Sequence, residues 1–384
     1  MKRVSIKVSI INFLNQITPK RKIILFDSYP NISDNSYALY EYIINNRSDL
    51  CAEYRMVWAK KGVLDIQDLK LDTATKMVEK KSLKGIFYFL RAEYVVSTHG
   101  YFRGVRSGNG QLQVNLWHGC GYKDMPPEDR GYRGDLTIVT SEMYRDIFAE
   151  IFCLDKADVY VTGYPRNDRL FTSKPILGKL NIIKGQFAKV ILWMPTFRKT
   201  KDEYSKIDGK EESMTPFNLN DEQLEALNRI LTVKNYIMIV KAHPMDAARL
   251  DDLKGFNRIR GFTSDDLQHF GVQLYELLAD SDVLLSDYSS VIVDYLLLDK
   301  PISMILSDME EYKESRGFLF EPLEEYLPGP IIGSLEDLLF YFEHLDEING
   351  QWAEKRKEIT SIMHKYCDKY SAQRVAEVIW GRDE

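Results

Sequence analysis

The stretch QVNLWHG occupies residues 113–119 and is an apolar run that ends in Trp-His-Gly. Far downstream, residues 236–244 read YIMIVKAHP, a second apolar run closed by a histidine. Short apolar runs of this length, separated by helical patterns, are typical of buried strands in parallel sheets. His118 and His243 therefore stand where predicted strands stop, and ligands of parallel α/β sheets bind beyond the carboxyl ends of the strands.

The alternation of strand-like and helix-like segments continues along most of the chain. A first series of strands begins with KIILFDS (22–28) and ends with VYVTG (159–163). A second series begins with AKVILWMPT (188–196) and ends with PISMIL (301–306). This pattern predicts an α/β protein with two doubly wound parallel-sheet, Rossmann-like domains, and the length of 384 residues also favours two domains.

Composition shifts divide the chain further. We predict an amphipathic basic amino-terminal segment (1–21), an N-terminal Rossmann-like domain (22–180), a C-terminal Rossmann-like domain (181–360), and a final helix (361–384) that packs back on the first domain. The polar stretch at 199–218 is predicted to be a mobile loop.

The charge balance argues against a nucleic-acid partner. A net charge of −6 gives no general attraction to polyanions, so an anionic ligand requires a local group of basic residues. The four cysteines are scattered without metal-ligand spacing, which favours neither a disulfide framework nor a zinc site.

The first 22 residues, MKRVSIKVSIINFLNQITPKRK, combine an apolar centre with basic flanks. No uninterrupted apolar stretch reaches the roughly 18 residues that a membrane span requires. Two interpretations stay open: a basic amphipathic helix on an anionic membrane surface, or an ordinary first helix packed on the fold.

Two histidines at strand ends can be hydrogen-bonded structural residues, which is the usual role of a single buried histidine. One in each predicted domain favours a shared active site. Imidazole suits the role of general base because its pKa lies near neutral pH, and it can also donate hydrogen bonds to phosphate.

The segment LLSDYSSVIVDYLLLDKP (284–301) carries the densest group of polar residues beside a predicted strand. The turn consists of Ser286, Asp287, Tyr288, Ser289 and Ser290. Hydroxyls and backbone N–H groups at a helix start suit a phosphate group. The alternative is capping by one serine, but a cap needs a single hydroxyl.

Two arginines follow other predicted strands. Arg198, in MPTFR (194–198), is placed to clamp a pyrophosphate, and Arg166 follows the Gly-Tyr-Pro turn of TGYPRNDRL (162–170). Supporting roles are also predicted for Lys123, Lys241 and Asp294, the last toward a ligand ribose or a partner lysine. The chain has no GxGxxG, P-loop or DxD-like pair, which disfavours NAD enzymes, nucleotide kinases and metal-dependent sugar transferases.

Several of these segments occur together, and in the same order, in one known family. They are DSYPNISDNSYALYEYI, VNLWHG, TGYPRND, WMPTFR, KAHP and LLSDYSSVIVDYLLLDKPI. The chain resembles the CDP-glycerol glycerophosphotransferases, which are teichoic acid primases and polymerases and include CDP-ribitol enzymes and capsule polymerases. The resemblance spans roughly residues 22–370 and implies a GT-B-like fold, with two domains facing a central cleft, and a transfer that needs neither metal nor cofactor.

The resemblance also implies roles. The first domain is expected to bind the acceptor, with His118 as the catalytic base. The second is expected to bind the CDP-polyol donor, with His243 near its phosphates, and with Arg198 and the 286–290 turn on its pyrophosphate and polyol.

The implied reaction moves glycerol phosphate or ribitol phosphate from CDP-glycerol or CDP-ribitol to a hydroxyl of a lipid-linked or polymeric acceptor and releases CMP. It belongs to teichoic acid or capsule synthesis in bacteria. The implied location is cytoplasmic, with peripheral association at the inner face of the cell membrane.

The chain departs from the family directly after WHG. The family usually continues with Thr-Pro-Leu-Lys, whereas this chain has Cys120, Gly121, Tyr122 and Lys123. Donor-polyol and acceptor specificity are therefore expected to depend on this loop.

Two other functions are compatible with the same patterns. One is a GT-B glycosyltransferase of capsule synthesis that uses a nucleotide sugar such as CMP-sialic acid. The other is a non-catalytic polymer-binding protein on the same fold.

Overall fold

The computed structural model describes residues 6–62, 71–127, 130–196, 214–242 and 244–381. The chain divides into two compact units, each built on a parallel β-sheet. Unit 1 comprises Met1–Gly119, Glu128–Asp168 and His364–Glu384, and unit 2 comprises Cys120–Pro127 and Arg169–Met363. The predicted fold class, two doubly wound α/β domains, is confirmed.

Unit 1 contains a sheet of seven parallel strands in the order β3-β2-β1-β4-β5-β6-β7. The strands are β1 (Arg21–Asp27), β2 (Arg55–Lys60), β3 (Lys76–Glu79), β4 (Ala92–Ser97), β5 (Leu112–Asn115), β6 (Leu136–Val139) and β7 (Val159–Val161). The order reverses between β1 and β4, and doubly wound sheets bind ligands beyond the strand ends at such a reversal.

One helix precedes β1, and further helices connect β1 to β2, β3 to β4 and β6 to β7, as parallel pairing requires. They are α1 (Ile6–Ile17), α2 (Asp34–Asn46), α3 (Ser48–Glu53), α4 (Leu83–Arg91) and α5 (Glu142–Phe152). A core of buried apolar residues from β1, β2, β4 and α4, including Leu25, Val57, Val95 and Phe89, packs one face of the sheet.

Unit 2 contains a sheet of six parallel strands in the order β10-β9-β8-β11-β12-β13. The strands are β8 (Lys189–Met194), β9 (Tyr236–Lys241), β10 (Ile259–Phe262), β11 (Val283–Ser286), β12 (Ile302–Ile305) and β13 (Ile331–Ile332). The order reverses between β8 and β11, which is the equivalent position to the β1–β4 reversal of unit 1.

The remaining helices are α6 (Asp168–Thr172), α7 (Asp221–Val233), α8 (Ser264–His269), α9 (Leu274–Asp280), α10 (Val291–Tyr295), α11 (Met309–Ser315), α12 (Leu335–Glu343), α13 (Leu345–Gln351), α14 (Ala353–Met363) and α15 (Ser371–Trp380). In α7, Leu224, Leu227 and Leu231 recur at helical spacing and are buried in the core of unit 2. No helix in the described part of the chain is long and apolar enough to cross a membrane.

Hydrogen bonds explain where the units divide. Asp280 accepts the backbone N–H groups of Ile176 and Leu177 at 2.7 and 3.0 Å, which attaches the segment after α6 to unit 2. Asp168 accepts the N–H groups of Ser371 and Ala372, both at 2.9 Å, which attaches the start of α15 to unit 1. The 199–213 part of the predicted loop lies outside the described residues.

Candidate active site

His118 lies three residues beyond β5, on a backbone that neighbouring polar groups fix in place. Trp117 has a φ of +50°, which is uncommon for a bulky aromatic residue. The Asn35 side chain at the start of α2 donates to the carbonyls of Leu116 and Trp117, at 3.2 and 3.0 Å. Such over-determined, strained backbone is typical of functional sites.

The ring of His118 is enclosed by other aromatic rings. It stacks on His99 with a centroid separation of 4.1 Å and an interplanar angle of 6°, and it contacts Trp117 at 3.8 Å. Burial lowers the pKa of His118 well below 6.5, and the nearby His99 and Arg166 lower this pKa further. The imidazole is therefore neutral at pH 7, as a general base must be.

The hydrogen bond of His118 indicates which ring nitrogen is free to accept a proton. Nδ1 lies 3.5 Å from the carbonyl oxygen of Thr98. Because a carbonyl oxygen only accepts, this contact favours the tautomer with the ring hydrogen on Nδ1 and the lone pair on Nε2.

Arg166 stabilises the loop that carries His118. Its Nη1 donates to the carbonyl of His118 at 2.9 Å and to Oδ1 of Asp34 at 2.7 Å, and both members of this ion pair are largely buried. Its backbone N–H donates to the side-chain oxygen of Asn35 at 3.2 Å. The structure thus places Arg166 against the backbone of His118, where it positions the histidine.

His99 is a site residue that the sequence interpretation did not select. It follows β4, and its Nδ1 lies 2.8 Å from the hydroxyl of Thr98. Burial lowers its pKa to about 4, with Arg133 as the next cause. The signal was present, because THG (98–100) ends an apolar run in the same way as WHG.

In unit 2, three of the five residues in the 286–290 turn are buried and bonded within the fold. Ser286 donates to the carbonyl of Met194 at 2.7 Å, and Asp287 accepts the N–H of Thr196 at 2.9 Å as well as its hydroxyl. Tyr288 donates to Asp308 at 3.0 Å and stacks on Tyr312 at 3.8 Å. These contacts attach the turn after β11 to the end of β8, at the strand-order reversal.

Ser289 and Ser290 are the half-buried members of the turn. The hydroxyl of Ser289 accepts the N–H of Val291 at 3.4 Å, whereas Ser290 makes no side-chain cap bond to α10. The hydrogen bonds of Ser286, Asp287 and Tyr288 therefore fix the shape of the turn, whereas Ser289 and Ser290 keep part of their surface exposed.

The loop at 120–123, where the chain departs from the family pattern, packs directly against the 286–290 turn. A Cβ on Gly121 would lie 3.1 Å from both Cα and Cβ of Ser290, so glycine permits a close approach. The backbone of Lys123 forms an isolated antiparallel β-bridge with the backbone of Phe318. The Nζ of Lys123 lies 5.6 Å from the centre of the Tyr312 ring. The structure thus brings Gly121, Lys123 and the turn together in unit 2.

Lys241 and Asp294 are buried, and each side chain makes a hydrogen bond within the protein. Lys241 Nζ donates to the carbonyl of Ala242 at 3.0 Å, and burial lowers its pKa to about 8. Asp294 accepts the hydroxyl of Tyr275 at 2.6 Å.

His243 and Arg198 lie outside the described residues. Within the described ranges, no group of three or more His, Cys, Asp or Glu side chains is arranged to hold a metal ion.

Two sheets with the strand order of doubly wound proteins, each with polar residues at its reversal point, place the chain among α/β proteins of the GT-B-like class. The wall teichoic acid polymerase TagF has this fold: its structure superposes with a TM-score of 0.76 at 23% identity, over 97% of this chain and 92% of that chain.

The family model described as CDP-Glycerol:Poly(glycerophosphate) glycerophosphotransferase matches residues 10–381, and the chain belongs to this family. The teichoic acid ribitol-phosphate polymerase TarK of Staphylococcus aureus is 29% identical over 97% of this chain and 71% of its own length. A teichoic acid glycerol-phosphate transferase of the same organism is 26% identical over 94% of each chain. The predicted family is confirmed.

Proposed function

We propose that this protein transfers a polyol phosphate, glycerol phosphate or ribitol phosphate, from the corresponding CDP-polyol to a hydroxyl of a lipid-linked or polymeric acceptor. The observation that carries the proposal is a neutral His118 whose Nε2 lone pair is available, in a chain that matches the family from residue 10 to 381. TarK and the teichoic acid transferase support the same class of reaction by their similarity.

The proposed reaction is a single displacement at phosphorus. His118 Nε2 takes the proton of the acceptor hydroxyl, and the oxygen forms a bond to the β-phosphorus of the donor. The bond from that phosphorus to the bridging oxygen breaks, and CMP leaves. Positioning and hydrogen bonds to the developing charge are the main sources of rate in phosphoryl transfer.

Donor binding is proposed for unit 2. The half-buried Ser289 and Ser290 are proposed to contact the donor phosphates through their hydroxyls. The hydrogen bonds of Ser286, Asp287 and Tyr288 stabilise the turn that carries them. His243 and Arg198 are proposed to contact the pyrophosphate, on the family resemblance alone.

A donor panel tests the reaction. CDP-glycerol, CDP-ribitol and CMP-sialic acid are each incubated with a synthetic lipid-linked acceptor, CMP release is followed, and product length is read by mass spectrometry. We expect CMP release from a CDP-polyol and a mass increase of one or more polyol-phosphate units. Turnover of CMP-sialic acid alone would establish the glycosyltransferase alternative, and no turnover of any donor would support a binding protein.

We also propose that α1 attaches the protein to an anionic membrane surface, such as the inner leaflet. One face of α1 is bound to unit 1: Asn12, Asn15 and Gln16 bond to the segment 104–111. The opposite face exposes Ile6, Ile10, Phe13 and Ile17 to solvent. Helix α4, which contacts α1, likewise exposes Leu83 and Phe87 beside Lys84. Apolar residues flanked by basic ones bind anionic lipid interfaces.

Phe13→Asp is expected to weaken binding to vesicles that contain anionic lipid by at least about tenfold, because burial of an aromatic side chain in the lipid interface contributes roughly 1.5–3 kcal/mol. Co-sedimentation with vesicles measures the change. Phe340→Asp on α12 of unit 2 is the matched control, since Phe13 and Phe340 are 65% and 59% exposed. Equal effects of the two substitutions, or binding that does not depend on anionic lipid, would contradict the proposal.

A further inference from the structure

The segment DSYPNISDN (27–35) belongs to the family pattern, yet most of it has no role in the transfer described above. It follows β1 at the strand-order reversal of unit 1, beside the end of β4. Tyr29 in this segment is 63% exposed, although it is a large aromatic residue. An exposed aromatic residue at the reversal point of a doubly wound sheet is placed to contact a ligand.

Tyr29 belongs to a row of aromatic rings that starts at His118. His118 stacks on His99, and the edge of Tyr29 meets His99 at a centroid separation of 5.8 Å. The two separations bound the distance from the His118 ring to the Tyr29 ring at about 10 Å. The row therefore extends from the base to solvent over a length that one or two polyol-phosphate repeats can span.

The ammonium group of Lys61 lies at the outer end of this row of rings. Lys61 Nζ lies 5.4 Å from the centre of the Tyr29 ring, on an exposed residue. Nearby Lys80 and Arg166 are neutralised by Asp27 and Asp34, respectively. Within the described ranges, no carboxylate lies within 4 Å of Lys61 Nζ, which distinguishes this lysine from Lys80 and Arg166.

The two residues are held in a fixed relation. The side chain of Asn31 donates to the carbonyl of Lys61 at 2.8 Å and accepts its N–H at 2.9 Å. The N–H of Tyr29 lies 3.4 Å from the hydroxyl of Thr98, which also contacts His99. Ser28 further ties the loop by donating to the carbonyl of Pro30 at 2.8 Å. A loop fixed in advance costs less entropy when a ligand binds.

We infer that Tyr29 and Lys61 form an acceptor subsite for an anionic polyol-phosphate chain: the terminal hydroxyl reaches His118, the chain passes over His99 and Tyr29, and a phosphodiester behind the terminal unit contacts Lys61. This inference rests on the proposed function, because it names the chemical class of the acceptor. It makes a phosphodiester-bearing chain a better acceptor than a neutral one with the same terminal polyol. The ammonium of lysine binds phosphate as a point charge.

Two acceptors with the same terminal glycerol unit test the subsite. One is a synthetic tri(glycerol phosphate), and the other is its analogue with neutral methyl phosphotriesters. The donor is the CDP-polyol that gives turnover in the donor panel, and CMP release is measured at low ionic strength. We expect Lys61→Ala to raise the KM for the phosphodiester acceptor about fivefold, with kcat and the KM for the donor unchanged within twofold. Lys61→Arg is expected to keep the wild-type KM.

Substitutions of Tyr29 test the aromatic part of the subsite separately, and a lysine substitution elsewhere in the protein serves as the control. Tyr29→Ala is expected to raise the KM for both acceptors, and Tyr29→Phe to leave both unchanged. Lys174→Ala, which removes an exposed lysine from unit 2, is the charge-matched control and is expected to change nothing. Equal KM values of the wild type for the two acceptors, or a Lys61→Ala effect on the donor KM, would overturn the subsite while turnover itself upheld the transferase.

Discussion

His118→Ala is expected to lower kcat for CMP release by a factor of at least about 100, because removal of a positioned general base costs about 10²–10⁴-fold. The contact of Nδ1 with the Thr98 carbonyl favours Nε2 as the proposed base, and alanine removes it. The KM for the donor is expected to change little, since His118 lies in unit 1 and donor binding is proposed for unit 2. Steady-state kinetics with a CDP-polyol and a synthetic acceptor measure both constants.

His269→Ala on α8 is the matched control, because it removes an exposed histidine from unit 2. It is expected to retain wild-type kcat. A His118→Ala protein that folds normally and keeps more than a tenth of the wild-type kcat would exclude the role of base.

The pH dependence of kcat/KM tests the role of His118 independently. A base acts while it is neutral, so kcat/KM falls as the pH drops through its pKa. Burial, the stacked His99 and Arg166 all lower the pKa of His118. We therefore expect the acid limb of the profile well below pH 6.5, with no loss of rate between pH 7 and 6.5. An acid limb at or above 6.5 would show that the base is another group or that His118 is not buried in the active state.

Arg166→Ala is expected to lower the free energy of unfolding of unit 1 by about 3–5 kcal/mol, because it leaves the charge of Asp34 in a largely buried position. It also removes the donor to the carbonyl of His118, so kcat is expected to fall as the histidine loses its position. Urea denaturation and CMP release measure the two effects. Arg166→Lys keeps the charge but presents a different donor geometry, and is expected to lie between alanine and the wild type.

Arg229→Ala on α7 is the control, as it removes an exposed arginine at little expected cost. The double substitution with Asp34→Asn completes a cycle: if Asp34 is the group left uncompensated, Asp34→Asn restores part of the stability lost in Arg166→Ala. Additive effects of the two substitutions would contradict a direct coupling.

The strand ends were predictable because their pattern is local. Apolar runs separated by helical periods identified nearly every strand, and the rule that ligands bind beyond strand ends selected His118 and the turn at 286–290. The same rule applies to His99, which follows the apolar run EYVVST (93–98), but the rule does not rank one strand-end histidine above another. Only the stacking of His99 on His118 shows that the two act in one place.

Roles within the turn and the loops were not predictable from the sequence. The sequence predicts the turn at 286–290 as a unit, and only packing separates the three buried residues, Ser286, Asp287 and Tyr288, from the two half-buried serines. Asp34 and Arg166 are 132 residues apart, and no local signal pairs them. The contact of Gly121 with Ser290 likewise joins residues that are distant in the chain.

The sequence by itself determined the class of fold, the family and the strand ends at which chemistry is placed, because hydrophobic periodicity and short motifs are properties of neighbouring residues. The tertiary structure decided which nitrogen of His118 carries the lone pair, which face of α1 is exposed, and that Tyr29 and Lys61 lie in one row with the two histidines. Those features depend on burial and on contacts between distant segments, which exist only after the parallel sheet has brought its strand ends to one edge.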